Sequence, residues 1–221
     1  MLMRDYFGKL NQKQKDSLNI ILRNTNHLDL IIQDFLEISR IESARLKFNF
    51  MEIELTNPIN SLVKEMNNFM PEKKIKIVTQ LGTLPLMEVD PERVIQIIRN
   101  LTQNAIKFSP ENSTIKISAS VVNKMLQISV ADQGIGIKKE DQEKLFEPFF
   151  QAEQTIYKRK AGTGLGLAIS KGIVEAQEGK IWLESQVEKG TTFFFTIPLT
   201  PVKEIKSIKL LFSSEKEPAK K

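Results

Sequence analysis

The 221-residue sequence contains no cysteine and a single histidine. Without cysteine the chain can form neither disulfides nor thiolate metal sites, which fits a reducing compartment. No apolar run approaches the roughly 20 residues that cross a bilayer, and the N-terminus lacks the pattern of a signal peptide. We therefore expect this segment to be cytoplasmic and without a membrane span, and a membrane tether elsewhere in a longer parent protein stays open.

A second scarcity is that of aromatic residues, which make up 7% of the sequence. No basic stretch is interleaved with aromatic side chains, as proteins that bind single-stranded nucleic acid require. Much of the net charge of +5 lies after Pro201, where the sequence has six lysines and three glutamates. A solvated basic tail explains that excess, and we expect no nucleic-acid partner.

Residues from about Asn11 to Ile41 have the apolar periodicity of one long helix. The apolar stripe is too broad for a helix that faces water. It includes Leu18, Ile21, Leu28, Ile32 and Phe35. Because no second helix of similar length follows, we expect a partner helix from an earlier segment or from a second chain, which makes a homodimer through this region the preferred interpretation.

The rest of the chain alternates short strands with single helices. We expect strands near 50–55, 75–80, 86–89, 114–121, 126–131, 180–185 and 191–199. Asn57 with Pro58, and Asp90 with Pro91, combine a helix-capping residue with proline at the first helical position. They predict helices that start there, the second running to Phe108, and a further helix covers about 165–177. Hairpin turns are expected at Asn123–Lys124 and at Gly190.

Two hairpins argue against an all-parallel sheet. The sequence therefore predicts an α+β fold: a two-layer α/β sandwich with a mixed, mostly antiparallel sheet and helices on one face, preceded by the long N-terminal helix. We divide the chain into a helical segment (1–46), a sandwich domain (47–200) and a basic tail (201–221).

On the helix that ends at Phe108, a polar arc lies beside the apolar one. This arc holds Asn100, Asn104 and Lys107. Amide oxygens suit a Mg²⁺ ion that already carries phosphate oxygens, and a lysine one turn on can meet a phosphate. An amphipathic helix with an amide-rich outer face is the alternative for these residues taken alone.

Asp132 ends a strand and enters the segment Gly134-Ile135-Gly136. A carboxylate can accept a hydrogen bond from the exocyclic amine of adenine, and glycines let the backbone approach a flat base. Strand-ending Asp-x-Gly turns are also common without any ligand.

A glycine-rich segment, Gly162-Thr163-Gly164-Leu165-Gly166-Leu167, opens a helix. Exposed amides and the partial positive charge of a helix start suit a triphosphate. The charged stretch 137–161 before it has the character of a mobile lid, whose Lys158, Arg159 and Lys160 could reach phosphates or simply face solvent. Within the lid, Phe146, Phe149 and Phe150 could be a docking hinge or a surface for a neighbouring domain.

Together, and in this order, these motifs resemble the catalytic ATP-binding domain of sensor histidine kinases in the Bergerat-fold (GHKL) superfamily. The similarity covers about residues 50–199, with an N box at 100–108, a G1 box at 132–136, an F box at 146–150, a G2 box at 162–166 and a G3 box near 190–193. The resemblance implies ATP and Mg²⁺ as ligands. It implies that Asn104 binds the metal, that Asn100 and Lys107 contact metal or phosphate, that Asp132 holds adenine with the support of Thr192, and that Phe108 and the G1 and G2 residues complete the site.

The segment 10–46, which ends in SRIESARL, is similar to the second helix of the family's dimerisation and phosphotransfer domain. The family's phosphoacceptor histidine lies on the first helix of that domain and has an acidic residue after it. His27 is followed by Leu-Asp-Leu instead. We therefore expect His27 to be an exposed helix residue and not the acceptor. The chain would transfer the γ-phosphate to a histidine elsewhere, for relay to the receiver domain of a response regulator.

Two other functions compete with this one. ATP hydrolases of the superfamily have a glutamate one helical turn before the metal-binding asparagine, where it activates water. Here that position is Asn100, which favours phosphotransfer to histidine over hydrolysis. The second alternative is a dimerising scaffold that senses nucleotide without kinase activity.

Overall fold

The computed structural model describes residues 8–68, 74–152, 162–201 and 210. Its helices are α1 (Gln12–Glu42), α2 (Thr56–Asn68), α3 (Pro91–Phe108), the short α4 (Lys139–Gln142), a 3₁₀ turn (Lys144–Phe146) and α5 (Gly166–Ala176). Its strands are β1 (Met51–Ile53), β2 (Lys76–Leu81), β3 (Met87–Val89), β4 (Thr114–Val122), β5 (Met125–Ala131), β6 (Lys180–Gln186) and β7 (Gly190–Pro198).

Five strands form the main sheet in the order β2-β4-β5-β7-β6, and β1 pairs with β3 in a separate two-stranded ribbon. β2 and β4 are parallel, whereas the other three pairs of the main sheet are antiparallel. The inward positions of the strands alternate with less buried ones and pack against α2, α3 and α5. The prediction of a two-layer α+β sandwich with a mixed, mostly antiparallel sheet is confirmed.

The start of α3 follows from its sequence. The Asp90 side chain accepts a hydrogen bond from the Arg93 amide (3.1 Å), and Pro91 stands at the first helical position, where no amide hydrogen is needed. Seven residues of this helix are buried: Val94, Ile97, Ile98, Leu101, Thr102, Ala105 and Ile106. The polar residues beside this buried arc therefore stand at the edge of the core.

Two local predictions are wrong. α2 begins at Thr56, so Asn57 lies within the first turn and does not cap it, and the Glu54 carboxylate accepts the hydrogen bond from the Thr56 amide (2.7 Å). Gly190 belongs to β7, and the turn before it contains Glu188 at a φ of 63°. The turn between β4 and β5 does lie at Asn123 and Lys124, with φ values of 51° and 62°.

The predicted N-terminal helix is present as α1, and its two halves differ. Near its C-terminal end, Ile38 and Ile41 are buried in the common core, where α1 packs against α5. Glu37 forms a salt bridge with Arg93 of α3 and accepts a hydrogen bond from Gln96 Nε2 (2.9 Å). Upstream of these contacts, most of the apolar side chains of α1 are exposed, among them Ile20, Ile21, Leu22, Leu28, Leu30 and Ile32.

One residue of the C-terminal region is described, and it is buried. Leu210 is 5% exposed and belongs to the core, and its amide donates to Glu42 Oε1 (2.9 Å). The expectation of a solvated tail is therefore wrong for this residue, and the lysines of the tail lie outside the described residues.

Within the described ranges, no helix is both long enough and apolar enough to cross a membrane.

Candidate functional site

A cavity of about 500 Å³ lies where α3, α5, the end of β5 and α1 meet. Twelve of the predicted site residues line it: Asn100, Asn104, Lys107, Phe108, Asp132, Ile135, Gly136, Gly162, Thr163, Gly164, Gly166 and Leu167. Gly134, Leu165 and Thr192 are not among the lining residues, and Lys160 lies outside the described residues. Residues that are distant in sequence thus converge on one cavity.

Asp132 follows the last residue of β5 and is held by the backbone on both sides. Its Oδ1 accepts hydrogen bonds from the amides of Gly134 (2.7 Å) and Thr191 (3.2 Å). Burial raises the pKa of the Asp132 carboxyl, and these two hydrogen bonds act in the opposite direction. The side chain is therefore fixed in orientation at the cavity wall and can accept a hydrogen bond from a ligand.

The register between β7 and β5 determines which of the two neighbouring threonines contacts Asp132. Thr191 is buried, lines the cavity and binds Asp132, whereas Thr192 pairs with Ala131 and points to the other face of the sheet. The structure thus brings Thr191, and not the predicted Thr192, into contact with Asp132 at the cavity, and the role of Thr192 with adenine stays a prediction. Strand residues alternate between faces, so an error of one position moves a side chain from the cavity to the opposite surface.

Asn100 joins α3 to the start of α5. Its Nδ2 donates to the carbonyl of Gly166 and to Ser170 Oγ (2.9 Å). The helices approach so closely that a Cβ on Gly166 would lie within 3.0 Å of the Asn100 side chain, which explains the glycine. The sequence analysis missed Ser170, which places a hydroxyl one turn into α5.

Asn104 and Lys107 follow Asn100 on the same side of α3, and both line the cavity. The Lys107 ammonium lies 4.9 Å from the centroid of the Phe108 ring and close to the backbone of Gly162. The lysine therefore stands between α3 and the glycine-rich segment. A positive charge in that position can bind an anion that contacts both.

The glycine-rich segment is held by the F box and by Gln151, which follows it. Gly164 has a φ of 74°, and its carbonyl accepts a hydrogen bond from the Phe149 amide (3.0 Å). Gln151 Nε2 donates to the carbonyl of Gly162 (2.8 Å). Phe146 packs edge-on against Phe193 of β7, whereas the Phe149 ring is exposed. The F box thus anchors the described part of the predicted lid through Phe146, and residues 153–161 lie outside the described residues.

The cavity also has a wall that the sequence did not predict. His27, Leu30 and Asp34 of α1 line it, and Asp34 Oδ2 accepts a hydrogen bond from Thr163 Oγ1 (2.9 Å). Burial raises the pKa of the Asp34 carboxyl, the Thr163 hydrogen bond lowers it, and nearby Glu37 raises it further. The three residues recur at helical spacing, but only the docking of α1 on α5 brings them to the cavity.

The oxygen donors of the cavity suit a metal ion that is already bound to the phosphates of a ligand. Within the part of the chain that the structure describes, no group of three or more His, Cys, Asp or Glu side chains could hold a metal ion. Mg²⁺ usually keeps several waters and binds proteins through one or two oxygens together with substrate phosphates. The amide oxygens of Asn100 and Asn104 fit that role.

Comparison with known sequences identifies the family of this site. The model of histidine kinase-, DNA gyrase B- and HSP90-like ATPases matches residues 89–201, about half of the chain. The chain belongs to this ATPase family. The match includes α3, β5, the glycine-rich segment and β7, which are the elements that form most of the cavity wall.

Within this ATPase family, the chain is similar to several histidine kinases. The chain is 34% identical over 206 residues to the sensor histidine kinase WalK of Bacillus subtilis, and the match covers 89% of this chain and 34% of WalK. It spans only about a quarter to a third of the length of the curated relatives it matches.

Solved structures give the same result. Full-length ShkA in complex with AMPPNP has a TM-score of 0.76 and 25% identity, over 90% of this chain and 41% of that chain. The histidine kinase ThkA in complex with the response regulator protein TrrA has a TM-score of 0.69 and 30% identity, over 92% of this chain and 57% of that chain. The chain therefore has the fold of these kinase structures, and it is similar to histidine kinases in both sequence and structure.

Proposed function

We propose that this chain is the ATP-binding catalytic portion of a sensor histidine kinase. It binds ATP with Mg²⁺ and transfers the γ-phosphate to a histidine other than His27, for relay to a response regulator. We propose residues 47–200 as the catalytic domain and 1–46 as part of the dimerisation and phosphotransfer domain. The similarity to WalK, to ShkA with AMPPNP and to ThkA with TrrA supports this assignment.

The observation that carries the proposal is the amide at position 100. A hydrolase needs a general base one helical turn before the metal-binding asparagine, so that water can lose a proton as it attacks. Asn100 cannot take up a proton, and its Nδ2 is bound to Gly166 and Ser170. A site that positions phosphate without activating water is suited to transfer to another nucleophile.

The cavity suggests a role for each group. Asp132 accepts the adenine amine beside the Thr191 backbone, and the Asn104 amide oxygen binds Mg²⁺ with Asn100 next to it. Lys107 and the amides of the glycine-rich segment contact the phosphates, with Phe108 and the G1 residues completing the wall. Lys160 stays a proposed phosphate contact on the basis of the sequence alone. Thr192 has no contact in the structure that supports a role with adenine.

We propose that the parent protein forms a homodimer through the region of α1. The exposed apolar side chains of this helix would be buried by a partner helix. A second copy of α1 suits this role because its own apolar side chains have the same spacing. We propose the receiver domain of a response regulator as a second partner. The complex of ThkA with TrrA supports it.

Transfer of labelled phosphate tests the proposal directly. The chain is incubated with Mg²⁺ and γ-labelled ATP, with and without a separately produced helical domain of a related kinase that carries a phosphoacceptor histidine. We expect acid-labile label on the added domain, no label on His27, and slow release of free phosphate. Asn104→Asp should abolish transfer, and the exposed Asp29→Asn on α1 serves as the control.

The alternatives give different results in the same experiment. Rapid, steady release of phosphate without transfer would identify an ATP hydrolase. ATP binding with neither transfer nor hydrolysis would identify a nucleotide-sensing scaffold. Acid-labile label on His27 would show that the acceptor assignment is wrong.

A further inference from the structure

The hydrogen bond between Asp34 and Thr163 joins α1 to the glycine-rich segment, across 129 residues of sequence. Thr163 Oγ1 donates to Asp34 and accepts from the Leu165 amide (3.2 Å), so the hydroxyl has a partner on each side. The Leu165 amide lies just before the first residue of α5, in the segment proposed to receive phosphates. The contact thus places an acidic side chain of α1 next to that segment.

The surrounding contacts hold Asp34 in this place. Ile38, one turn further on α1, is fully buried, and Glu37 binds Arg93 and Gln96 of α3. The docked helix therefore cannot turn its acidic residue away without losing core contacts. An anion that enters between Lys107 and Thr163 would meet a carboxylate at the same wall of the cavity.

We propose that Asp34 makes the docking of α1 and the binding of polyphosphate oppose each other. The carboxylate repels phosphate groups bound at the glycine-rich segment, and it engages the Thr163 hydroxyl when phosphate is absent. This inference rests on the proposed nucleotide site. By linkage the effect is reciprocal: docked α1 lowers the affinity for ATP, and ATP lowers the stability of the docked arrangement by the same factor.

Because Asp34 acts through its charge, its effect on affinity should increase with the number of phosphates on the ligand, and this dependence tests the proposal. The full chain and its Asp34→Asn variant are titrated calorimetrically at pH 8 with ATP, ADP and adenosine. We expect Asp34→Asn to bind ATP about tenfold more tightly, a typical size for coupling between sites. The gain should be smaller for ADP and absent for adenosine. A merely structural role would change all three affinities alike.

Asp29→Asn is the matched control, since it makes the same change of charge on exposed α1 at a residue that does not line the cavity. Equal gains for ATP and adenosine in Asp34→Asn, or no gain, would overturn the inference while leaving the proposed function intact. Failure of both the wild type and Asp34→Asn to bind ATP would overturn both.

The effect of ATP on the docking of α1 is measured as the distance between one label on α1 and one on β4. Because the chain has no cysteine, Asn24→Cys on α1 and Ser120→Cys on β4 can be spin-labelled specifically and diluted with unlabelled chain. We expect saturating ATP, but not adenosine, to shift the distance distribution, and Asp34→Asn to reduce that shift. A distribution that ATP leaves unchanged would contradict the inference.

Discussion

The helices α1 and α3 are both long and amphipathic, but they differ in how much of their apolar surface is buried. α3 has 18 residues, of which seven are buried under the sheet and α5, whereas α1 has 31 residues and only Ile38 and Ile41 are buried. The apolar arc of α3 packs against other elements of the chain, whereas most of the apolar arc of α1 is exposed within the part of the chain that the structure describes. Stability of the sandwich thus depends on α3, whereas α1 carries the apolar surface through which we propose a homodimer.

The largest expected effect comes from the same substitution in the two helices. Leu101→Ala in α3 removes a fully buried side chain and should lower the free energy of unfolding by about 2–5 kcal/mol. Leu28→Ala in α1, where the side chain is 58% exposed, should change the stability of the monomer by less than about 0.5 kcal/mol. Urea unfolding at a protein concentration that keeps the chain monomeric compares them, and similar losses would show that α1 is covered within the monomer.

The next effect concerns ligand binding at the sandwich. Asp132→Asn should weaken ATP binding by about 10- to 100-fold, since a charge-assisted hydrogen bond contributes roughly 1.5–3 kcal/mol. The asparagine Oδ1 can still accept from Gly134 and Thr191, so the unfolding free energy should not fall. Calorimetric titration and urea unfolding check both parts, and Asp29→Asn controls for the loss of one charge. Unchanged affinity would remove Asp132 from the site.

A smaller effect is expected at the bridge that joins the two helices. The side chains of Glu37 and Arg93 are 19% and 22% exposed, so a double-mutant cycle between α1 and α3 should give a coupling energy of about 1.5 kcal/mol. The Glu65–Arg99 pair, with side chains 46% and 39% exposed, is screened by water and should couple more weakly. Equal coupling energies in the two cycles would mean that partial burial does not strengthen the bridge between Glu37 and Arg93.

The smallest effect is a dependence of binding on pH. Burial raises the pKa of Asp132, so its charge is lost at a higher pH than that of an ordinary aspartate as the pH falls. Adenosine affinity should therefore decrease as the pH falls through that raised pKa, and Asp132→Asn should abolish the dependence. Adenosine is the right ligand because it has no phosphates, so neither their ionisation nor Asp34 contributes. A parallel pH profile in the variant would contradict the assignment.

The sequence predicted the elements well because their signals are local. The cap and proline at Asp90–Pro91 and the apolar period that follows define α3 without any knowledge of the fold, and the G1 and G2 motifs mark the cavity wall. The apolar period also predicted α1, within one residue at each end. These features depend on neighbours within a few residues, which a linear pattern contains.

The missed features depend on contacts between distant elements. Thr191 and Thr192 are equally suitable by sequence, and only the register between β5 and β7 selects the first. His27 and Asp34 reach the cavity because α1 docks on α5, and Ser170 matters because Asn100 approaches it. Asn57 has a capping residue's identity, yet α2 begins at Thr56, two residues before the predicted first helical position at Pro58.

The burial of Leu210 affects how the protein is divided for experiments. Its side chain and that of Ile41 both reach Gly172 of α5, so the end of α1 and Leu210 meet on one helix. An expression boundary drawn just after β7, which ends at Pro198, would remove the buried Leu210 side chain and expose the apolar surface that it covers. Recombinant versions that stop there should aggregate more readily than those that continue past residue 210, and a chimaera with another kinase should exchange residues 38–46 and the C-terminal extension together.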